Sequence, residues 1–174
     1  ENSRTAEMVK LADNLWIDLN IALANEIALL SDKLNIDSLE VIKAANSLPK
    51  GQHSVNILFP GIGVGGYCLT KDPWFVNHLG ESFGLDLKTP KASRAANDYM
   101  PNYTFELIKN ELEKKGKTLS KSRIAVMGIS FKDNTGDCRF TPTKEIIDKL
   151  KKAGTSLKIY DPWVNAESAQ SITD

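Results

Sequence analysis

From residue 5 to residue 34 apolar side chains recur at helical spacing, through Met8, Leu11, Leu15, Leu19, Leu23, Ile27 and Leu30, with neither Pro nor Gly among them. That pattern predicts one long helix. Ile17, Ile21 and Leu29 spread the apolar positions over more than one side, so the helix is expected to be buried in a packing core or at a subunit contact. Residues 37–47 form a second predicted helix, with Asp37 at the N-cap and Glu40 three residues on. Residues 49–67 break the pattern with Pro49, Gly51, Pro60 and the glycines up to Gly66, and are expected to be a loop. Helices are predicted again at 73–83 and 90–115, the latter kinked or interrupted at Pro101. Beyond that the period changes. Residues 123–129 (RIAVMGI) and 156–160 (SLKIY) are β-rich, and 142–152 is a helix with Pro in its first turn, which together make a βαβ unit. The fold class expected is a mainly α domain, residues 1–117, followed by the start of an α/β Rossmann-like domain, residues 118–174.

Composition narrows the function classes. A chain of 174 residues, 41% hydrophobic, is long enough for one domain or two small ones. Its 22 basic and 22 acidic side chains cancel, and only Lys149, Lys151 and Lys152 form a short basic group, so neither nucleic acid nor an anionic membrane is expected as a partner. The two cysteines, Cys68 and Cys138, and two histidines offer neither a disulfide framework nor a metal site, and a reducing cytoplasm is the expected home. No apolar run reaches the roughly 18 residues that would span a bilayer. The opening ENSRTAEMVK has neither a basic nor an apolar leader region, and with no initiator Met the chain is expected to be a piece of a longer protein.

The segment FPGIGVGGYCLTKDPW, residues 59–74, carries the densest chemistry. Gly61, Gly63 and Gly66 satisfy G-x-G-x-x-G, with Asp86 at about the distance of a ribose-binding acid. That fingerprint needs a firm strand before it and a βαβ frame around it, whereas a broken polar loop precedes Pro60, so dinucleotide binding by this loop is rejected. The glycines instead strip side chains away so that a ligand can approach backbone amides, and place Cys68 at the start of the next helix. A helix N-terminus favours thiolate over thiol, and Lys71 one turn along adds a cation. The competing reading is a small core cysteine, the common fate of a free thiol, and residue types alone leave both open.

Two further constellations are weaker on their own. Lys10 and Asn14 stand at i and i+4 on one helix face, where they suit a developing oxyanion and a water if that face lines a cleft. SFKDNTGDCR, residues 130–139, directly follows a strand, and loops at the C-terminal ends of parallel strands are where α/β sheets bind ligands. Lys132 and Arg139 suit phosphates there, and Gly136 permits a tight turn; the alternative is an ordinary solvated loop.

Taken in this order, AEMVKLADN, GVGGYCLTKD and GISFKDNTGDCR resemble the UDP-glucose/GDP-mannose dehydrogenase family, from its central helical domain into its C-terminal domain. The resemblance implies that Cys68 is the nucleophile of a two-step oxidation of a sugar C6 alcohol through a thiohemiacetal and a thioester, with Lys10 and Asn14 steadying the oxyanion and Asp72 assisting the water or thiol chemistry. Lys71 and Arg139 would reach the phosphates of NAD, Phe131 and Lys132 would contact the substrate's nucleotide diphosphate, and Gly65 and Gly66 would back the sugar. A UDP-sugar substrate and a homodimer through the long first helix are likewise implied. NAD would be bound mainly by a domain preceding Glu1, so this piece alone is expected to be inactive.

VIKAANSLP and PGIGVGGYCLTKDPWF are more similar to members acting on UDP-N-acetylhexosamines, such as UDP-N-acetylmannosamine, than to those acting on UDP-glucose. Tyr67 stands where those members commonly have His, and Gln52 and His53 where the glucose enzymes carry an Arg donated across the dimer. The rivals are a UDP-glucose 6-dehydrogenase, a hydroxyacid dehydrogenase such as 6-phosphogluconate dehydrogenase, which shares the Lys-x-x-x-Asn helix without a catalytic cysteine, and a non-catalytic dimerisation module.

Overall fold

The computed structural model describes residues 2–173. The chain divides into two compact units. The first takes the described residues through Gly61 together with Cys68–Asp98, and the second takes Ile62–Tyr67 and the described residues from Tyr99 on.

The first unit is helical. Helix α1 spans Ser3–Leu34, two residues longer at its start than the apolar pattern indicates. Asn2 makes the difference, because its side-chain oxygen accepts from the Thr5 amide at 2.9 Å and so supplies one of the partners that first-turn N–H groups lack. Asn35, left-handed at φ 55°, closes the other end. Helix α2 spans Ser38–Asn46 from the expected Asp37 cap, whose carboxylate accepts from the Leu39 amide at 2.7 Å.

The expected loop at 49–67 contains a minimal antiparallel hairpin, β1 (Pro49–Lys50) and β2 (His53–Ser54), turned by Gly51 at φ 60°. Helix α3 spans Tyr67–Ser82, all but its first residue in this unit. Its start lies six residues before the 73–83 span but agrees with the placing of Cys68 at a helix start, and Pro73 sits inside it. Helix α4, Thr89–Lys114, continues through Pro101 without interruption, contrary to the expected break, and its residues up to Asp98 belong to the first unit.

Within this chain, burial in α1 follows polar and small residues rather than the large apolar ones, so the packing-core half of the expectation does not hold and the subunit-contact half stays open. The buried residues are Asn14, Asp18, Ala22, Ala24, Asn25 and Ser31, whereas Trp16, Leu19, Leu23, Leu30 and Leu34 are exposed.

The second unit contains strand β3 (Arg123–Met127), helix α5 (Pro142–Lys152), strand β4 (Ser156–Tyr160) and helix α6 (Ala166–Thr173). The strands pair in parallel, from Arg123 opposite Ser156 to Met127 opposite Tyr160, so the βαβ unit is present and the fold class is as expected. Strand β3 stops two residues early because Gly128 turns the chain at φ 98°. The core holds Ile129 with Ile146, Ile147 and Leu150 of α5. Helix α6 was not anticipated, although the Asn165 side chain caps it by accepting from the Ser168 amide at 2.8 Å. Among the described residues no helix is long and apolar enough to cross a membrane.

Candidate functional site

Cys68 is the second residue of α3, in the first helical turn, and it is exposed. That separates it from the buried structural thiol left open by residue type. Asp72 lies at i+4 on the same helix, hence on the same face. Buried Asn14 of α1 donates to the Asp72 carboxylate through Nδ2, and the Asn14 side-chain oxygen accepts from Lys10 Nζ at 2.9 Å. The first unit therefore joins Lys10, Asn14 and Asp72 into one hydrogen-bonded chain that ends one helical turn from Cys68. Lys10 also lies 3.7 Å from Asp13. Lys71, three residues after Cys68, is exposed.

The remaining sequence-nominated residues fall in the second unit. Gly66 donates its amide to the Arg139 carbonyl at 2.9 Å. A Cβ on Gly65 would lie 2.5 Å from Cβ of Phe131, and one on Gly66, itself at φ 82°, would lie 2.7 Å from Phe131 Cζ. These two glycines are therefore required by close packing against Phe131, a reason independent of any ligand. Gly136 likewise allows close approach of the Trp163 carbonyl rather than a positive φ; in this loop the left-handed residues are Asn134 and Phe140.

Hydrogen bonds within the loop hold it in shape. Ser130 Oγ lies 2.8 Å from the Lys132 carbonyl and 2.9 Å from the Asp137 carbonyl, so its one proton serves one or the other, and Thr135 Oγ1 donates to the Lys132 carbonyl at 3.0 Å. Lys132 is exposed. Arg139 grips Asp137 in a two-point pair, Nε to Oδ1 at 2.8 Å and Nη2 to Oδ2 at 2.5 Å, and this guanidinium holds the Asp137 carboxyl below the ordinary range. The guanidinium also stands 4.9 Å from the centre of the Tyr67 ring, which meets Phe140 edge-on.

At the root of the loop Asp161 accepts from the amides of Ile129 at 2.7 Å, Ser130 at 3.0 Å and Trp163 at 2.9 Å. Those amides, led by Ile129, keep the Asp161 carboxyl low. No group of three or more His, Cys, Asp or Glu residues suited to a metal occurs among the described residues.

Comparison with known proteins decides the family. The model of the UDP-glucose/GDP-mannose dehydrogenase central domain matches residues 4–99, and that of the same family's UDP binding domain matches residues 125–173. The chain belongs to the UDP-glucose/GDP-mannose dehydrogenase family.

Within this family it is 40% identical over 165 residues to UDP-N-acetyl-D-mannosamine dehydrogenase of Methanococcus vannielii, covering 95% of this chain and 36% of that protein. The solved UDP-N-acetylmannosamine dehydrogenase of Pyrococcus horikoshii is similar at a TM-score of 0.85 and 38% identity, over 95% of this chain and 38% of that one. A UDP-glucose dehydrogenase from Pyrobaculum islandicum is similar at a TM-score of 0.86 and 31% identity, over all of this chain and 39% of that one. The chain thus spans between a third and two-fifths of these relatives.

Sequence reasoning missed a set of buried polar residues, Asp18 and Asn25 of α1 with Arg94 and Asn97 of α4. A signal was present. Asn14, Asp18 and Asn25 stand at helical spacing on one side of α1, but polar residues at such positions are usually taken for a solvated face.

Proposed function

We propose that this chain supplies the catalytic thiol and part of the sugar-nucleotide site of an NAD-dependent UDP-sugar 6-dehydrogenase, acting on a UDP-N-acetylhexosamine of the N-acetylmannosamine type. The observation that carries the proposal is Cys68, exposed on the first turn of α3, in the same unit as the linked Lys10, Asn14 and Asp72. The names of the relatives at 38–40% identity support the N-acetylmannosamine substrate over glucose, whose named enzyme stands at 31%.

Bound NAD would supply the hydride acceptor for the two oxidations at the sugar C6. By charge, Lys71 and Arg139 fit its phosphates, but Arg139 is already committed to Asp137, so any anion there competes with that carboxylate.

Cys68 sulfur adds to the C6 aldehyde formed by the first oxidation, giving a thiohemiacetal, and the covalent bond keeps the aldehyde from escaping. The second oxidation converts that carbon to a thioester. Water then adds to the carbonyl, the C–S bond breaks, and the uronic acid leaves as the thiol reforms. Each tetrahedral stage places negative charge on the C6 oxygen, which the Lys10 ammonium, oriented by Asn14, offsets. Asp72, one turn from the sulfur, accepts the proton of the attacking water. Phe131 and Lys132 contact the nucleotide diphosphate, and Gly65 and Gly66 back the sugar.

The exposed apolar face of α1 supports a homodimer through that helix, and we propose that the chain alone dimerises without turning over. The function is tested by counting NADH released per UDP-N-acetylmannosamine in the intact enzyme. Two per sugar, abolished in Cys68→Ala, supports the proposal, whereas full activity of that variant sinks it in favour of a cysteine-free hydroxyacid mechanism.

A further inference from the structure

The first unit contains a buried polar chain that the proposed chemistry does not use. Asp18 and Arg94 have side-chain exposures of 0% and 2% and form an ion pair of 2.6 Å. Asn97 donates to the Asp18 carboxylate at 2.8 Å and to its main-chain oxygen at 2.9 Å. Asn25 donates to Asn97 at 2.9 Å, and the Asn25 oxygen accepts from the Gly61 amide, also at 2.9 Å. At the other end Arg94 Nη1 donates to the Leu69 carbonyl at 3.2 Å, while Nη2 pairs with Asp98. Gly61 and Leu69 bracket the segment that carries the thiol, and Leu69 directly follows Cys68. One run of buried groups therefore grips the main chain on both sides of the candidate loop.

The grip at Leu69 answers a specific defect. In an α-helix the Leu69 carbonyl should accept from the amide four residues on, but that residue is Pro73, which has no N–H. Arg94 supplies the missing donor. The arrangement is a poor choice for stability alone: two ions are taken out of water, and Asp18 Oδ2 and Arg94 Nε find no hydrogen-bond partner among the described residues. What an apolar pair of the same volume would not deliver is a donor aimed at a carbonyl one residue from the thiol.

We propose that Arg94, set by Asp18, is a positioning residue for Cys68. Its guanidinium replaces the amide that Pro73 lacks and fixes the first turn of α3 on which the sulfur stands. This rests on the assignment of Cys68 as nucleophile. The test is a double-mutant cycle of Arg94→Lys and Pro73→Ala in the intact enzyme, with UDP-N-acetylmannosamine as substrate and hydrogen exchange followed on the peptide covering residues 67–77.

In the Pro73 background, Arg94→Lys is expected to lower kcat about ten-fold or more, to leave KM within about three-fold, and to speed exchange in the first turn of α3 about ten-fold. In the Pro73→Ala background residue 73 brings its own N–H to Leu69, and the same Arg94→Lys change should alter kcat and exchange by less than about three-fold. Equal losses in both backgrounds, no loss in the first, or an Arg94→Lys chain that fails to fold in either background would overturn the proposal. Full activity of Cys68→Ala would remove the nucleophile instead, and the exchange result would then judge the anchoring of the turn by itself.

Discussion

Helices α5 and α1 follow opposite rules. Helix α5 buries Ile146, Ile147 and Leu150 and leaves Lys151 and Lys152 exposed, so its pattern of apolar and polar residues specifies its place in the second unit. Helix α1 buries Asn14, Asp18, Asn25 and Ser31 and leaves Trp16, Leu19, Leu23, Leu30 and Leu34 exposed. A helix arranged this way is held in its own unit by hydrogen bonds together with the packing of the small Ala22 and Ala24, and its large exposed apolar side chains are available to another chain. Trp16, Leu19 and Leu23, with Ala92 of α4, line a groove of about 390 Å³ on the first unit, consistent with the proposed dimer face. The contrast shows that amphipathic pattern alone does not say which face of a helix is internal; the partners of the polar groups do.

Four predictions sharpen or break that contrast. The largest effect is expected from Asp18→Ala, which leaves the Arg94 charge buried without its main partner and should cost about 3–5 kcal/mol of stability by chemical denaturation. A loss below about 1 kcal/mol would mean that the polar face of α1 does not hold the unit together. Next comes the apolar helix: Leu150→Ala removes a fully buried side chain and should cost about 2–5 kcal/mol, with the loss concentrated in hydrogen exchange of the second unit.

A smaller loss, about 1.5–3 kcal/mol at neutral pH, is expected for Asp161→Ala, which frees the amides of Ile129, Ser130 and Trp163. The sign of its pH dependence is fixed. The folded state holds this carboxyl below its unfolded value of about 3.9, so its stabilisation is present above that value and is lost as pH falls through the lower folded one. Thermal melts from pH 7 down to about 2 should therefore converge for wild type and Asp161→Ala at the acid end, and a gap that persists there would contradict this account.

The smallest effect on folding is expected from Leu23→Glu on the exposed side of α1, within about 0.5 kcal/mol, while self-association measured by sedimentation should weaken about ten-fold or more. Unchanged association would move the dimer contact off this helix.

Much of the fold was legible because α5 and β4 obey simple periods, and both fall where the pattern placed them. Helix α3 begins where the placing of Cys68 puts it, but its passage through Pro73 is not encoded locally: Arg94, 25 positions on from Leu69, satisfies the carbonyl that a mid-helix proline leaves without a donor. The hairpin of two-residue strands was too short for any period to reveal. At the candidate site, Cys68, Lys10 and Asn14 were nominated from the sequence, but the link from Asn14 to Asp72 crosses 58 positions of chain and no local spacing encodes it. Gly65 and Gly66 were nominated for ligand approach, whereas their packing against Phe131 is a tertiary fact.

The proposed reaction turns on a covalent bond between Cys68 and the sugar carbon. Its most direct test is rapid acid quenching of the intact enzyme during turnover of UDP-N-acetylmannosamine, followed by mass spectrometry of the peptide containing Cys68. This peptide is expected to gain the mass of the nucleotide sugar less four hydrogens, as a thioester, while Cys138 stays unmodified and the adduct is absent in Cys68→Ala, which has lost turnover. Turnover by Cys68→Ala at the wild-type rate, with no adduct at Cys68 of the wild-type protein, would overturn the assignment.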